Sequence, residues 1–387
     1  MRRLACLLAF GCATASPLPP LATPNPDQDR AASPGSERPP SFSPQPQAGP
    51  LLDETLPCPT LDAALTRAAE QLAQDLEHGA GPLDAQRVEQ ALRAQGAPYV
   101  WPRAWSLAGR NLREVLPDKL RGWLAAPQGA GQRRCGVSLR ELAGGREIVV
   151  AIAVDALADL EPVPGRVRVG SWVNVGAALL VPSSDAKVVV LGPSGPPRGV
   201  PTSASDGRVR ARFAADREGL WKLQVLAAVD GGPRPVLEAD FVAGELPPQA
   251  PAESLENAAP GADPVSLLNR LLNAARQREG LPTLASSAEL TRVAQGYAER
   301  LRAAGHIAHD LGEGDPEQRV TEAGIRYRLV GENLAHADDA GRAHRALWNS
   351  PSHRANMLDP HFDSIGIGVA ADERSIWVCQ LFARLSN

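Results

Sequence analysis

The stretch Gly331-Glu332-Asn333-Leu334, followed by Trp348-Asn349-Ser350-Pro351-Ser352-His353-Arg354-Ala355-Asn356-Met357, constrains this chain more than any other part. It brings a carboxylate, an imidazole and a proline-punctuated turn into one compact segment. Proline punctuates the turn, and a helix is expected to start after Pro351, close to His353. His309 upstream and the strand-like Gly366-Ile367-Gly368 downstream supply the remaining parts of one polar cleft.

With 387 residues the chain is long enough for two or three domains. Hydrophobic residues make up 43%, which supports sizeable cores, whereas 36 prolines point to a portion that does not pack. The net charge of −4 comes with no run of Lys and Arg, so nucleic acid is not an expected partner. No apolar run approaches the length of a membrane-spanning helix.

The N-terminus reads as an export signal over residues 1–15: Arg2-Arg3 is positive and Leu4 to Phe10 is apolar. Two endings stay open. Ala9-Phe10-Gly11-Cys12 is a lipobox lacking Leu three before the cysteine, which would make Cys12 a lipid anchor. Ala13-Thr14-Ala15 is a cleavage site for ordinary secretion. The chain is therefore expected outside the cytoplasm, extracellular or as a surface lipoprotein, touching a membrane only through such an anchor. The competing reading is a cytoplasmic chain with an apolar start. Of the five cysteines, Cys6 and Cys12 fall in this segment. Cys58 and Cys135 flank one region and could pair in an oxidising compartment, while Cys379 reads as a buried strand thiol.

Residues 16–57 are rich in Pro, Ser, Ala and Gln and bury too little to offset their ordering entropy, so an extended linker is expected. From Leu61 to about Leu124, apolar residues at three- and four-residue steps predict helix, and strand texture follows, within a region bounded as 58–160. Short runs such as Ser171-Trp172-Val173-Asn174-Val175 and Val209-Arg210-Ala211-Arg212-Phe213, split by Gly/Pro turns, predict an antiparallel β-sandwich over 161–244. A proline-rich linker, 245–262, precedes the last domain, 263–387. One internal echo links the two ends: Leu65 to Ala73 resembles Leu290 to Ala298, and Cys135-Gly136-Val137 parallels Ile365-Gly366-Ile367. Either 58–160 is a degenerate copy of the last domain that lacks its histidines, or helices rich in Ala and Leu simply look alike.

In the last domain, Asp263-Pro264 starts one helix, Ser286-Ser287-Ala288-Glu289 reads as the capping box of a second, Asp315-Pro316 opens a third, and Asp338 or Asp339 a fourth. Ser364 to Val369 and Ser375 to Phe382 read as strands. An α+β domain, helices on a small antiparallel sheet, follows.

Residues 264 to 384 resemble the CAP superfamily, the SCP-like domain of cysteine-rich secretory proteins, antigen 5 and plant pathogenesis-related proteins. The resemblance rests on His309, Arg319, Gly331-Glu332-Asn333, Trp348 with Ser350 to Met357, Gly366-Ile367-Gly368-Val369, and Trp377 with Gln380-Leu381-Phe382. It implies an α–β–α sandwich whose central cleft is lined by His309, Glu332, Asn333 and His353. In some members two histidines and acids hold a divalent ion such as zinc, so His309 and His353 are the candidate metal ligands. The residue types allow this independently: two neutral imidazoles and a carboxylate can bind zinc and leave room for water. Without metal they can support proton transfer, which makes His309, Glu332 and His353 the candidate catalytic groups. One departure is clear. Val320 stands where a second acid is expected, and Asp310, Glu313, Glu317 and Glu322 are the nearby alternatives. Each residue also has a bland reading: Glu332 as an acceptor of backbone N–H groups, His353 as a helix cap, and Asn333 and Asn356 as scaffold. The leading functional expectation is a non-catalytic binding module for an extracellular lipid, glycan or cell-wall component, with or without a divalent ion in the His/Glu cleft. The alternative is a metal-assisted, peptidase-like hydrolase using the same cleft. A structural adhesin with a vestigial cleft is the third.

Overall fold

The computed structural model describes residues 58–81, 83–125, 129–230, 232–245, 263–373 and 375–386. The expected export signal with Cys12, the linker 16–57 and all of the second linker but Glu245 lie outside the described residues. The N-terminal unit runs α1 (Ala63–Glu77), α2 (Ala85–Ala94), β1 (Arg103–Gly109), α3 (Leu112–Leu124), β2 (Gln132–Leu142) and β3 (Arg146–Ala156). Its antiparallel sheet has the order β1-β3-β2. Strand alternation sends Val150, Ile152 and Val154 toward α1 and α2, and Val149, Ala151 and Ala153 toward α3, so helices cover both faces. The expected helical stretch from Leu61 to Leu124 is interrupted by β1. That edge strand points Ala104 to one side and Trp105 and Leu107 to the other, a period that helix-spaced neighbours conceal. A disulfide joins Cys58 to Cys135.

Nine strands then form the sandwich. One sheet, β4-β6-β10-β9, contains β4 (Ala158–Leu160), β6 (Trp172–Leu179), β9 (Thr202–Ser205) and β10 (Arg208–Ala214). The other, β5-β12-β11-β7-β8, contains β5 (Arg166–Val167), β7 (Ala186–Leu191), β8 (Arg198–Val200), β11 (Gly219–Val229) and β12 (Gly232–Ala243). Alternate residues of both sheets share one core, in which the rings of Phe213, Trp221 and Phe241 cluster. Its first strand starts slightly ahead of the expected boundary at 161.

The C-terminal unit comprises α4 (Pro264–Arg278), β13 (Ala285–Ser286), α5 (Ala288–Ala304), α6 (Pro316–Glu322), β14 (Tyr327–Ala337), α7 (Ala340–Asn349), α8 (Pro351–Leu358), β15 (Ser364–Ala371) and β16 (Ile376–Leu385). Its sheet order is β13-β15-β16-β14. Val378 and Phe382 face α4 and α7, whereas Cys379, Leu381 and Ala383 face α5, giving three layers. Helix starts follow local chemistry: Asp263 accepts the Ser266 N–H, Ser287 that of Leu290, and Asp315 and Gln318 form a capping box. Glycine explains how α5 lies so close to β15. A Cβ on Gly366 would stand 2.2 Å from the Leu290 carbonyl carbon, and one on Gly368 2.2 Å from that of Ala294.

The N-terminal unit repeats this geometry. A Cβ on Gly136 would stand 2.1 Å from the Leu65 carbonyl carbon, so α1 sits on β2 as α5 sits on β15. Leu61 bridges Cys135 in parallel, as Ser286 pairs with Ile365. Asp62 N–H donates to the Cys135 carbonyl at 2.9 Å, and Ser287 N–H to that of Ile365 at 2.9 Å. Gly136 and Ala104 both oppose Ile152, just as Gly366 and Glu332 both oppose Leu381. The order helix, helix, strand, helix, hairpin is also shared, with α7 and α8 where the N-terminal unit has α3. Inserting a methyl group into either helix–strand contact should force the backbones apart. Gly136→Ala and Gly366→Ala are each expected to cost roughly 1–3 kcal/mol, the usual range for overpacking. Urea unfolding midpoints unchanged from wild type would show that the helices do not rest on these glycines as described.

Candidate binding cleft

Glu332 lies on β14 with its side chain 1% exposed, and every contact of its carboxylate is a side chain. Oε1 accepts from His309 Nδ1 at 2.7 Å, and Oε2 accepts from Arg319 Nη2 and from the Cys379 thiol. The bland alternative for this acid, an acceptor of backbone N–H groups, does not hold, because Glu332 sits mid-strand and ties a loop and a helix to the sheet. Arg319, from α6, lies 3.5 Å above the centre of the Tyr297 ring. Its Nη1 donates to the carbonyls of His309 at 2.8 Å and Gly314 at 2.7 Å. Tyr297 donates its hydroxyl to the Ala308 carbonyl at 2.7 Å. Asp310 Oδ1 accepts the N–H groups of Gly312, Glu313 and Gly314, folding the loop on itself. His309 is thus fixed through its backbone and its ring. Because a carboxylate only accepts, Nδ1 must carry the proton, which leaves Nε2 as a lone-pair donor when the ring is neutral.

His353 reaches the same region from the first turn of α8. Its carbonyl accepts from Asn333 Nδ2 at 3.0 Å, and Asn333 Oδ1 accepts from Asn356 Nδ2 at 3.0 Å. Asn356 Nδ2 also donates to the Glu332 carbonyl at 3.1 Å. Gly331 completes the motif sterically, since a Cβ there would meet the Phe362 ring at 2.7 Å. The three residues of Gly-Glu-Asn therefore divide their work: one admits a ring, one anchors His309, one holds α8. Asn333, expected to line the cleft, is instead fully buried, with its amide committed to this scaffold. Desolvation first, and then repulsion from His309, pull the pKa of the His353 ring down to about 3, so it is neutral at ordinary pH.

Two contacts come from the sandwich, and nothing in the sequence signals them. Ser350 is the N-cap of α8 but makes no side-chain capping bond. Gln224, on β11 and fully buried, supplies it: Oε1 accepts the Ser352 N–H at 3.0 Å and Nε2 donates to Ser350 Oγ at 3.1 Å. Nε2 also donates to Glu238 Oε1, and Glu238 pairs with Arg93 of α2 at 3.4 Å. At the tip of the β11–β12 hairpin, a Cβ on Gly232 would lie 3.4 Å from the His309 Cβ. Both histidines are therefore buttressed from the same sheet.

Val320 is core, packed beside Tyr297 and Leu301, so no acid enters at that position. Asp310 serves its own turn and Glu313 pairs with Arg300, which removes two of the alternatives. Among the described residues no set of three or more His, Cys, Asp or Glu is placed to hold a metal. Glu332 does not fit as a zinc ligand, because its oxygens face Arg319, Cys379 and the Nδ1 side of His309. The donors left for an ion are His309 Nε2 and the His353 ring, two where a structural or hydrolytic zinc site uses three or four protein ligands. Burial and the Glu332 charge push the Cys379 thiol pKa well up, so it stays protonated and unreactive. His336 stacks on Trp377 and His344 on Trp348, apart from this cluster.

Residues 270–381 match the family model described as the cysteine-rich secretory protein family, CAP. Over 116 residues the chain is 31% identical to YkwD, an uncharacterized protein of Bacillus subtilis (strain 168), covering 30% of this chain and 45% of that relative's length. Two solved structures are also similar. An outer surface protein from Borrelia burgdorferi is 26% identical with a TM-score of 0.31, covering 32% of this chain and 93% of that one. An extracellular protein containing a SCP domain from Bacillus anthracis str. Ames is 16% identical with a TM-score of 0.30, covering 59% and 86%.

Two outcomes follow from this geometry. Gln224→Ala should lower stability by about 0.5–2 kcal/mol, as for loss of a helix cap, and shift the His353 ring signals in ¹H–¹⁵N correlation spectra. Lys222→Ala, on the same face of the same strand, should leave those signals in place; identical spectra for Gln224→Ala and wild type would refute the coupling. The second concerns pH. His353 has a folded-state pKa near 3, below its ordinary 6.5, so the unfolded chain binds the extra proton first and stability declines as pH drops from about 6.5 toward 3. Comparing urea midpoints at pH 7 and pH 4.5, His353→Gln should lose less than wild type, and an equal loss would show that the ring is not held neutral.

Proposed function

We propose that the CAP domain of residues 270–381 is an extracellular binding module, which takes a lipid, glycan or cell-wall component at the cleft beside His309 and His353. The observation that carries this reading is the state of Glu332. Its carboxylate is enclosed and bound to His309, Arg319 and Cys379, so it is free neither to complete a metal site nor to act as a general base. What remains at the cleft is one imidazole nitrogen of fixed tautomer and one ring kept neutral, groups suited to hydrogen bonding with a polar ligand. Export is supported by the Cys58–Cys135 disulfide, a bond that persists in oxidising compartments. Among the described residues no helix is long and apolar enough to cross a membrane, and a lipid on Cys12 would be the route to one.

Residues 58–160 are best explained as a second, degenerate CAP-like unit. Ala104 occupies the register position of Glu332, so the frame is kept without its anchor for a cleft histidine. The hydrolase alternative needs a metal on His309 and His353 with water completing its shell. Calorimetric zinc titration of the full chain separates the two readings. The binding module predicts no micromolar site, or one that is identical in the His309→Ala/His353→Ala variant. Micromolar binding abolished in that variant would transfer preference to the hydrolase.

A further inference from the structure

The outer face of the β4-β6-β10-β9 sheet carries side chains that neither the sandwich core nor the CAP cleft uses. On β6, Trp172 and Asn174 alternate with buried Val173 and Val175. On β10, Arg208, Arg210 and Arg212 alternate with buried Val209 and Phe213. Register places Arg212 beside Asn174, and Arg210 between Gly176 and Ser203. Two-residue steps along a strand are about 6.8 Å, so the three guanidinium groups form a row rather than a point. Among the described residues, none of the three forms an ion pair within the sandwich or with its neighbours. Trp172 is 58% exposed, the highest of the large apolar side chains among the described residues, and the Arg212 guanidinium stacks 4.6 Å from its ring centre.

A groove of about 640 Å³ crosses this face. Glu161 enters it over Gly176, where a Cβ would lie 2.1 Å from Glu161 Oε2, so the missing side chain is what admits the carboxylate. The groove thus offers the fork-shaped cationic donors of Arg210 and Arg212, the Glu161 carboxylate, the Asn174 amide and the Ser203 hydroxyl, with Trp172 on the same sheet face beside it, stacked on Arg212.

We propose that this groove binds an acidic polysaccharide, with ring faces against Trp172, hydroxyls on Glu161, Asn174 and Ser203, and acidic groups on the arginine row. The row suits repeated anionic groups, since a guanidinium pairs with carboxylate, sulfate or phosphate through two parallel hydrogen bonds. Glu161 favours a chain that carries hydroxyl groups between its charges: the carboxylate accepts from hydroxyls, which a polysaccharide presents on every ring and a DNA backbone does not. A lipid surface would call for several exposed apolar side chains, and on β6 and β10 this face presents one large one, Trp172, beside the groove.

The test is affinity electrophoresis of the full chain through gels containing polygalacturonate, heparin or neutral dextran, with dT30 oligonucleotide binding measured alongside. Retardation by at least one acidic polysaccharide and not by dextran is expected. The Arg210→Ala/Arg212→Ala variant should bind at least tenfold more weakly. Trp172→Ala should bind at least fivefold more weakly at unchanged net charge. Arg210→Lys, which keeps charge and fold but loses the fork, should fall between. The His309→Ala/His353→Ala variant should match wild type, which separates this groove from the cleft. Retardation by neither acidic polysaccharide overturns the proposal, as does retardation that Trp172→Ala leaves untouched. So does dT30 binding as tight as the polysaccharide and equally indifferent to Trp172.

Discussion

The buried pair of Glu332 and Arg319 is the contact on which the C-terminal site depends. Taking two charges out of water is costly, and such a pair is retained only when its remaining hydrogen-bonding positions are filled. Here they largely are: the carboxylate also accepts from His309 and Cys379, and the guanidinium also donates to two loop carbonyls and lies on Tyr297. One consequence is geometric. Because the loop carbonyl of His309 and the ring of His309 are held by opposite members of one ion pair, the imidazole has little freedom to turn. The pair therefore specifies an orientation, whatever its net contribution to stability.

Much of the fold could be read from local chemistry. Helix starts at Asp263, Ser287 and Asp315 are decided within a few residues, since a side-chain oxygen either reaches the orphan N–H groups or does not. The alternation of Gly366-Ile367-Gly368 likewise announces a strand with one unusually smooth face. The site was legible in its residues but not in its wiring. Which partner Glu332 takes depends on α6 meeting β14, and no spacing within either segment announces that Arg319 rather than a second acid will arrive. Val320 points the other way on the same short helix and is swallowed by the core. Gln224 had no signal at all: a glutamine on a strand becomes a helix cap only once two units dock. β1 was hidden for a related reason, because a short edge strand between helices inherits their apolar spacing.

The N-terminal unit and the C-terminal unit share a frame, and the comparison separates what is tied to folding from what surrounds His309. Both keep the capped helix, the glycine beneath it, the parallel bridge and the third strand. They differ at Ala104 and Glu332, and the N-terminal unit has a disulfide at its bridge where the C-terminal one has Ile365. Packing constraints thus persist across the pair while the polar anchor does not. A shape of this kind can be maintained by backbone contact alone.

The capping of α8 by Gln224 has a consequence for modularity. A domain is usually treated as a cassette, portable because its polar backbone groups are satisfied from within. This one borrows a side chain from its neighbour for the Ser352 N–H at the start of the helix that bears His353. Transplanted alone, residues 263–387 would keep their core yet expose that group and lose the wall beside His309. The unit that carries the geometry around His309 and His353 is therefore the sandwich and the C-terminal domain together, and recombination that parts them would separate a fold from part of its support.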